Sequence, residues 1–279
     1  MGFIYQWDIH KQKIRVGKSR NPGYSEHFHN YLEFIYLLEG NYSIKIDGTL
    51  YELSKGDFVI LFPYQLHELI STTGDNYELV CVASPDIFSE YSDVIKNSIC
   101  TSSVIKSDRL SEECKFLLNW ISGTKSTMED AFRLRKMLLC LIFRECTQMC
   151  ELAPRSELNM TSIQRILKYC DENYLSDNIS LDTISKALGI NKHHISHLLS
   201  DNLNVNFSTY ISELRINHAC KLIKTTNMSI TSISMECGFG SIRNFNRVFM
   251  KIKGTTPGEY KLKNSSEKRP KTHFLSTNP

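Results

Sequence analysis

The side chains best equipped for chemistry in this 279-residue chain stand near its start. They are His27-Phe-His29-Asn-Tyr-Leu-Glu33 and His67, which follows Pro63-Tyr-Gln-Leu. Imidazole and carboxylate together suit iron, manganese or zinc, and leave coordination positions open. They are equally able to hydrogen-bond a polar small molecule, or one another. Period-two alternation sets His27, His29 and Glu33 on one strand face with Ile35 and Leu37. No nucleophile–base arrangement and no phosphate-cradling glycine-rich loop accompanies them.

A second group of candidates lies in a repeat. Ile179-Ser-Leu-Asp-Thr-Ile-Ser-Lys-Ala-Leu-Gly-Ile and Met228-Ser-Ile-Thr-Ser-Ile-Ser-Met-Glu-Cys-Gly-Phe align at an offset of 49. Each copy reads as a short helix opened by a Ser N-cap (Ser180, Ser229) and ended by Gly189 or Gly238. Each is followed by a helix apolar on one side and polar on the other, as in a helix-turn-helix unit whose second helix enters the DNA major groove. The second helices align at an offset of 50, which matches His193 with Arg243, Ser196 with Asn246 and His197 with Arg247. Ile195 and Phe245, and Leu198 and Val248, are then inward anchors. Arg can grip guanine with two hydrogen bonds, Asn prefers adenine, and Ile242 could touch a thymine methyl.

Around these groups the chain divides by pattern. Residues 1–20 alternate briefly. From Tyr24 to Ala83, segments rich in β-branched and aromatic residues are broken at Gly40, Asp47-Gly48, Lys55-Gly56 and Thr73-Gly74-Asp75, which predicts short antiparallel strands in a small barrel or sandwich. Helical spacing follows over Arg109–Ile121 and Met128–Met149. The latter has a second apolar row at Phe132, Leu139 and Phe143 that a partner subunit could cover. The polar, aperiodic residues 151–159 read as a linker. Helices are then expected over 161–174, 181–188, 192–203, 207–225, 230–237, 242–252 and 257–262.

Charge follows the same division. From residue 160 onward there are 16 Lys+Arg against 9 Asp+Glu, whereas the preceding part is mildly acidic, with 17 against 21. A basic module that binds a polyanion, joined to something else, fits this asymmetry. The nine cysteines form no C-x-x-C pair, and most sit at apolar helical positions, so buried free thiols are expected rather than a disulfide or zinc framework. No signal peptide and no run of 18 apolar residues is apparent, which predicts a soluble, cytoplasmic protein without membrane contact.

Residues 208–260, above all GFGSIRNFNRVF and GTTPGEY, closely resemble the DNA-binding module of the AraC/XylS family of bacterial transcription regulators. The family usually has Ala where this chain has Ser185 and Ser234. The resemblance implies seven helices in two helix-turn-helix units, with base contacts from His193, Ser196, His197, Ile242, Arg243, Asn244, Asn246 and Arg247. The His27–Gly40 and Gly56–His67 segments resemble the two motifs of the cupin barrel. In metal-binding cupins, the H-x-H pair, the Glu and a later His ligate a divalent metal. Here Gln65 replaces a usual Gly and His67 lies closer to Pro63 than the motif requires. Regulators of the family often keep such residues as polar lining of an effector pocket.

The expected fold class is therefore α+β: a cupin-like β-barrel with dimerisation helices over 1–150, a linker at 151–159, an all-α domain with two helix-turn-helix units over 160–265, and a tail at 266–279. The expected function is a sequence-specific DNA-binding activator of transcription, controlled by a small molecule, a sugar by family analogy. His27, His29, Glu33 and His67 would line the effector pocket. No catalytic residue, metal or cofactor is expected. Partners would be double-stranded promoter DNA, a second copy of the chain and RNA polymerase. The alternatives are a regulator whose barrel only dimerises and, less favoured, a cupin metalloenzyme.

Overall fold

Alternation of buried and exposed side chains from Ile14 onward builds two five-stranded sheets in the computed structural model, which describes residues 4–5, 13–70, 75–124, 129–155, 160–203 and 205–266. The strands are β1 (Ile4–Tyr5), β2 (Ile14–Arg20), β3 (Tyr24–Phe28), β4 (Leu32–Glu39), β5 (Asn41–Ile46), β6 (Thr49–Ser54), β7 (Phe58–Leu61), β8 (His67–Ile70) and β9 (Tyr77–Ala83). A short helix α1 (Ser92–Asn97) precedes β10 (Ser98–Cys100) and β11 (Val104–Ile105). One sheet has the order β1-β3-β8-β5-β6, the other β11-β7-β4-β9-β2. The tight β5–β6 hairpin turns at Asp47-Gly48, both with positive φ, the geometry that an Asp-Gly pair favours.

Period two decides what each face of the second sheet touches. Ile35 and Leu37 of β4 join Tyr42 and Ile44 of β5 and Leu69 of β8 in a core shared by both sheets. Leu32 and Phe34 of β4, with Leu79 and Cys81 of β9, face the other way. That face is covered by helices α2 (Glu112–Gly123) and α3 (Glu129–Met149), through Leu117, Leu118, Leu138, Ile142 and Phe143. Each such apolar side chain contributes roughly 1.5–3 kcal/mol on burial. The two helices run antiparallel, since Arg109 donates to the Met149 carbonyl and Arg135 to the Thr124 carbonyl.

Four expectations are corrected here. His27 and Glu33 do not share a strand: His27 ends β3, Glu33 begins β4, and the chain turns between them at residues that carry no Gly or Pro. Leu139 and Phe143 need no partner, because both are fully buried within this unit; only Phe132 of that row is exposed. The linker is not free from its first residue, because β12 (Leu152–Pro154) pairs antiparallel with β10 and Arg155 donates to the Pro63 carbonyl. Three residues are too short to show periodicity. That pairing also brings Cys100 and Cys150 together as a disulfide with Cα atoms 5.9 Å apart, which a separation of 50 residues did not signal. The other seven cysteines are free thiols, and all but Cys140 are buried. The expected break at Thr73-Gly74, residues 156–159 of the linker and most of the tail lie outside the described residues.

Contacts divide the chain into two units, Met1–Met160 and Thr161–Pro279. The second contains α4 (Ser162–Asn173), α5 (Leu181–Leu188), α6 (Lys192–Leu203), α7 (Phe207–Thr225), α8 (Ile230–Glu236), α9 (Ile242–Lys253) and α10 (Pro257–Ser266). Ser180 and Ser229 cap α5 and α8 as the repeat implied, accepting from Thr183 N–H and Ser232 N–H. Helix α7 is the hub, with Ile216, Ala219 and Ile223 packed against Ile233, Phe245 and Phe249.

Candidate functional site: a histidine-lined pocket and a pair of exposed helix faces

In the first unit, β3, β4 and β8 deliver His27, Glu33 and His67 to one place, and His29 enters from the turn after β3. All four are buried. The His27 and His67 rings are 4.1 Å apart, and those of His29 and His67 are 5.2 Å apart. The hydrogen-bond partners show which ring nitrogens donate. A carbonyl oxygen can only accept, so His27 Nδ1 donates to Ser25 O at 2.8 Å and His67 Nδ1 donates to Gln65 O at 2.9 Å. His29 is the reverse: its Nδ1 accepts Tyr31 N–H at 3.4 Å and its Nε2–H donates to Glu33 Oε2 at 2.8 Å.

Burial would push the Glu33 carboxyl up, but hydrogen bonding and the positive potential of His29 and His67 overcome it and hold the group far below the usual range. Burial, followed by the neighbouring His67, brings His27 down to about 4, so it is neutral at physiological pH. Ligand-capable ring atoms of His27, His29 and His67 all lie within 4.8 Å of one another, close enough to surround a metal ion.

His27 and Glu33 open onto a pocket of about 320 Å³. Its far wall is β2 and β9, where Val80 and Val82 supply apolar surface and Arg15 a cation. Gly17, between Arg15 and Ser19 on the same face of β2, lines this space without a side chain, and a Cβ there would meet nothing within 4 Å. Sequence reading missed Arg15 and Gly17, since only strand pairing sets β2 opposite the histidines. It noted Gln65 only as a departure from the motif. That side chain accepts Phe62 N–H and donates to Asp47 and Ser103, and the backbone carbonyl of the same residue orients His67. A further buried pair, Tyr42 donating to Glu78 Oε2, lies in the same sheets; burial raises the Glu78 carboxyl to about 7.

In the second unit the turns of both helix-turn-helix motifs form as the repeat implied, and α6 and α9 follow them. His193 and His197 of α6 are exposed, and Ser196 is half-buried. On α9, Ile242, Arg243, Asn244, Asn246 and Arg247 are all exposed, while Phe245, Val248 and Phe249 face the core. Arg243, Arg247 and Lys251 recur every four residues and make one cationic stripe. Arg247 donates to Asn244 Oδ1 at 2.8 Å, so the two side chains restrain each other on the exposed face. Ile195 and Leu199 anchor α6; Leu198, an expected anchor, is only half-buried.

Arg215 was not signalled. From α7 it donates to the carbonyls of Tyr174, Ser176 and Gly238, so it ties the turn of the second motif to the end of α4.

Comparison with known proteins follows the same division. An AraC-like ligand binding domain matches residues 15–91, and a helix-turn-helix domain matches residues 184–263. The HTH-type transcriptional regulator YfiF of Bacillus subtilis is 36% identical over 87 residues, which cover 31% of this chain and 27% of that one. An HTH-type transcriptional regulator of Staphylococcus aureus is 29% identical over 126 residues, covering 43% and 17%. The chain thus spans about a quarter or less of the length of these relatives. Among solved structures, ToxT of Vibrio cholerae bound to an unsaturated fatty acid aligns over 89% of this chain and 95% of its own, at 15% identity and a TM-score of 0.42. The C-terminal domain of AraT, a response regulator of Geobacillus stearothermophilus, aligns over 44% of this chain and 97% of its own, at 19% identity and a TM-score of 0.36. The chain is an AraC-family protein, with an AraC-like ligand-binding domain followed by an AraC-type helix-turn-helix domain.

Proposed function

We propose that this protein regulates transcription by reading promoter DNA with its second unit, under the control of a small molecule held in the first. The observation that carries the reading is the pair of helices α6 and α9, equivalent in sequence and each presenting an exposed polar row beside a buried apolar one. A catalytic protein has no use for twin recognition helices. His193, Ser196, His197, Ile242, Arg243, Asn244, Asn246 and Arg247 are the proposed DNA contacts, some to bases and some to phosphates.

The pocket favours a sensing barrel over one that only dimerises. It is enclosed on one side by His27 and Glu33, with His29 and His67 behind them, and on the other by Arg15. Its volume suits a small polar molecule. A homodimer is the proposed assembly, through a different face from the one the sequence suggested: Phe116 and Trp120 of α2 and Met137 and Leu141 of α3 are all exposed on the antiparallel helix pair. The proposed setting is the bacterial cytoplasm, with RNA polymerase as partner at an activated promoter; no described helix is long and apolar enough to cross a membrane.

The test uses the full chain and DNA selected by it. Gly17→Val puts a branched side chain on the pocket wall away from the histidines, so it should leave DNA binding intact and abolish the response to the effector. A response that survives in the folded variant removes the pocket from the regulatory path.

A further inference from the structure

We propose that Cys100 and Cys150 form a reversible redox site, a disulfide latch that low-molecular-weight thiols open, and that its state sets how firmly the start of the linker grips the turn carrying His67. The place of this latch in regulation rests on the proposed reading of the pocket as a sensor; the latch itself does not.

Cys150 follows the last turn of α3, and the next residues form β12, which pairs with β10 in a sheet of two three-residue strands. A two-stranded pair this short is marginal on its own. One end is pinned by the crosslink between Cys100 and Cys150, Cα atoms 5.9 Å apart, beside which Thr101 N–H donates to the Glu151 carbonyl at 2.8 Å. Arg155 pins the other end. Its backbone N–H donates to the Asn97 carbonyl at 2.7 Å. Its guanidinium donates to the carbonyls of Pro63 at 2.7 Å and of Ile95 and Ser98 at 3.4 Å. Pro63 lies in the turn between β7 and β8. In that turn Tyr64 N–H donates to the His29 carbonyl at 2.7 Å, and the Gln65 carbonyl accepts from His67 Nδ1 at 2.9 Å. The first residues of the linker thus grip the turn that positions two of the pocket histidines.

Exposure decides which sulfur reacts. Cys150 is half-buried, whereas Cys100 is 3% exposed. A thiolate RS⁻ therefore attacks Cys150 Sγ; the S–S bond breaks, and its electron pair leaves on Cys100 Sγ, which takes up a proton. A second RS⁻ attacks the mixed disulfide, which releases RSSR and leaves Cys150 to take up a proton as the free thiol. Oxidation by RSSR is the reverse, so one class of co-reactant reaches both states. The nearest thiol in sequence does not compete. Cys146, one turn before Cys150 on α3, is fully buried, and burial with the neighbouring Cys114 holds its thiol well above the ordinary range. In the proposed cytoplasmic setting small thiols are abundant, so a disulfide there is in exchange rather than permanent. Opening it leaves β12 held only by Arg155 and a marginal strand pair, and the grip on the Pro63 turn weakens with it.

The experiment equilibrates the full-length chain with oxidised glutathione or with excess reduced glutathione. Thiols counted after denaturation should number seven in the first case and nine in the second. Hydrogen exchange read by mass spectrometry should be at least about 10-fold faster in the reduced protein over residues 151–155 and 62–67, and unchanged in α9. Cys100→Ser should exchange as reduced wild type does in either buffer. Cys150→Ser, at the half-buried partner, repeats the measurement should the first variant fail to fold. Arg155→Gln should keep the disulfide yet speed exchange over 62–67, because only the grip is lost. Nine thiols in the oxidising buffer, a bond that reduced glutathione leaves closed in the folded chain, or exchange over 62–67 that ignores the redox state overturns the proposal. A chain that shows the latch but binds no DNA in either state would refute the proposed function and leave the redox site standing.

Discussion

The two helix-turn-helix motifs share a sequence pattern but are built to different standards. The second is set in an aromatic core in which Phe239, Phe245, Phe249 and Tyr260 follow one another with ring centroids 5.2, 5.6 and 5.5 Å apart. The first is anchored by aliphatic residues, Ile184, Ile195 and Leu199. The turns differ as well. Gly189 and Gly238 both have positive φ, but a Cβ at Gly189 would meet nothing within 4 Å, whereas one at Gly238 would sit 2.8 Å from the Leu175 carbonyl and 3.0 Å from the Arg215 guanidinium. The chosen contacts diverge in step: α9 offers two arginines and two asparagines, all exposed, and α6 two exposed histidines and a half-buried serine. The more rigidly mounted helix carries the residues with the most directional hydrogen bonding. Under the proposed reading, discrimination between sequences therefore falls chiefly to α9, and more general attachment to α6.

The largest effect that would sharpen this contrast is in packing. Phe245→Ala should cost about 3–5 kcal/mol, more than the aligned Ile195→Ala, because the ring touches two aromatic neighbours. Chemical unfolding of the full chain measures both, and equal losses would dissolve the packing distinction. The glycines come next. Gly189→Ala should cost only the strain of its left-handed backbone, about 1 kcal/mol. Gly238→Ala should cost distinctly more, since it must also displace Arg215 from its three carbonyls.

At the DNA surface, Arg243→Ala and Arg247→Ala should each lose roughly 1–3 kcal/mol of discrimination between selected and scrambled DNA. His193→Ala and His197→Ala should lose less discrimination and weaken both DNAs alike. Equal losses on both DNAs for the arginine variants would reassign those side chains to the phosphates.

The β unit supplies a pH test that leaves the comparison of helices untouched. The folded Glu78 carboxyl is raised to about 7 by burial, so the fold holds a proton that the unfolded chain has released. Its contribution to stability is present below the usual carboxylate range and is lost as pH rises through about 7. Glu78→Gln should therefore flatten the fall in melting temperature between about pH 5 and pH 8, after subtraction of the opposite trend expected from His27. An unchanged slope would mean that Glu78 stays charged in the fold.

The repeat made the helical unit legible because local rules suffice there: caps, apolar spacing and terminal glycines all lie within a few residues of the helix they define. The bounds of α5, α6 and α7 follow from the sequence alone. The β unit was legible in its hairpins, where Asp47-Gly48 specifies its own turn, but not in its long-range pairings. Arg15 and Gly17 face His27 only because β2 pairs with β9 across some sixty residues, and Cys100 meets Cys150 only because β12 returns to β10. The four chosen pocket residues do come together, although the strand-face reasoning that grouped them placed a turn inside a strand. Sequence named the residues; only the fold gave them their hydrogen-bond partners.

The most direct test of the division of labour is selection of bound sequences from a random DNA pool by the wild-type chain and by an Arg243→Ala, Arg247→Ala variant. Wild type should enrich one defined sequence, and the variant should lose the part read by α9 while keeping salt-sensitive affinity for DNA in general. Enrichment of the same full sequence by the variant, or of none by the wild type, would contradict it.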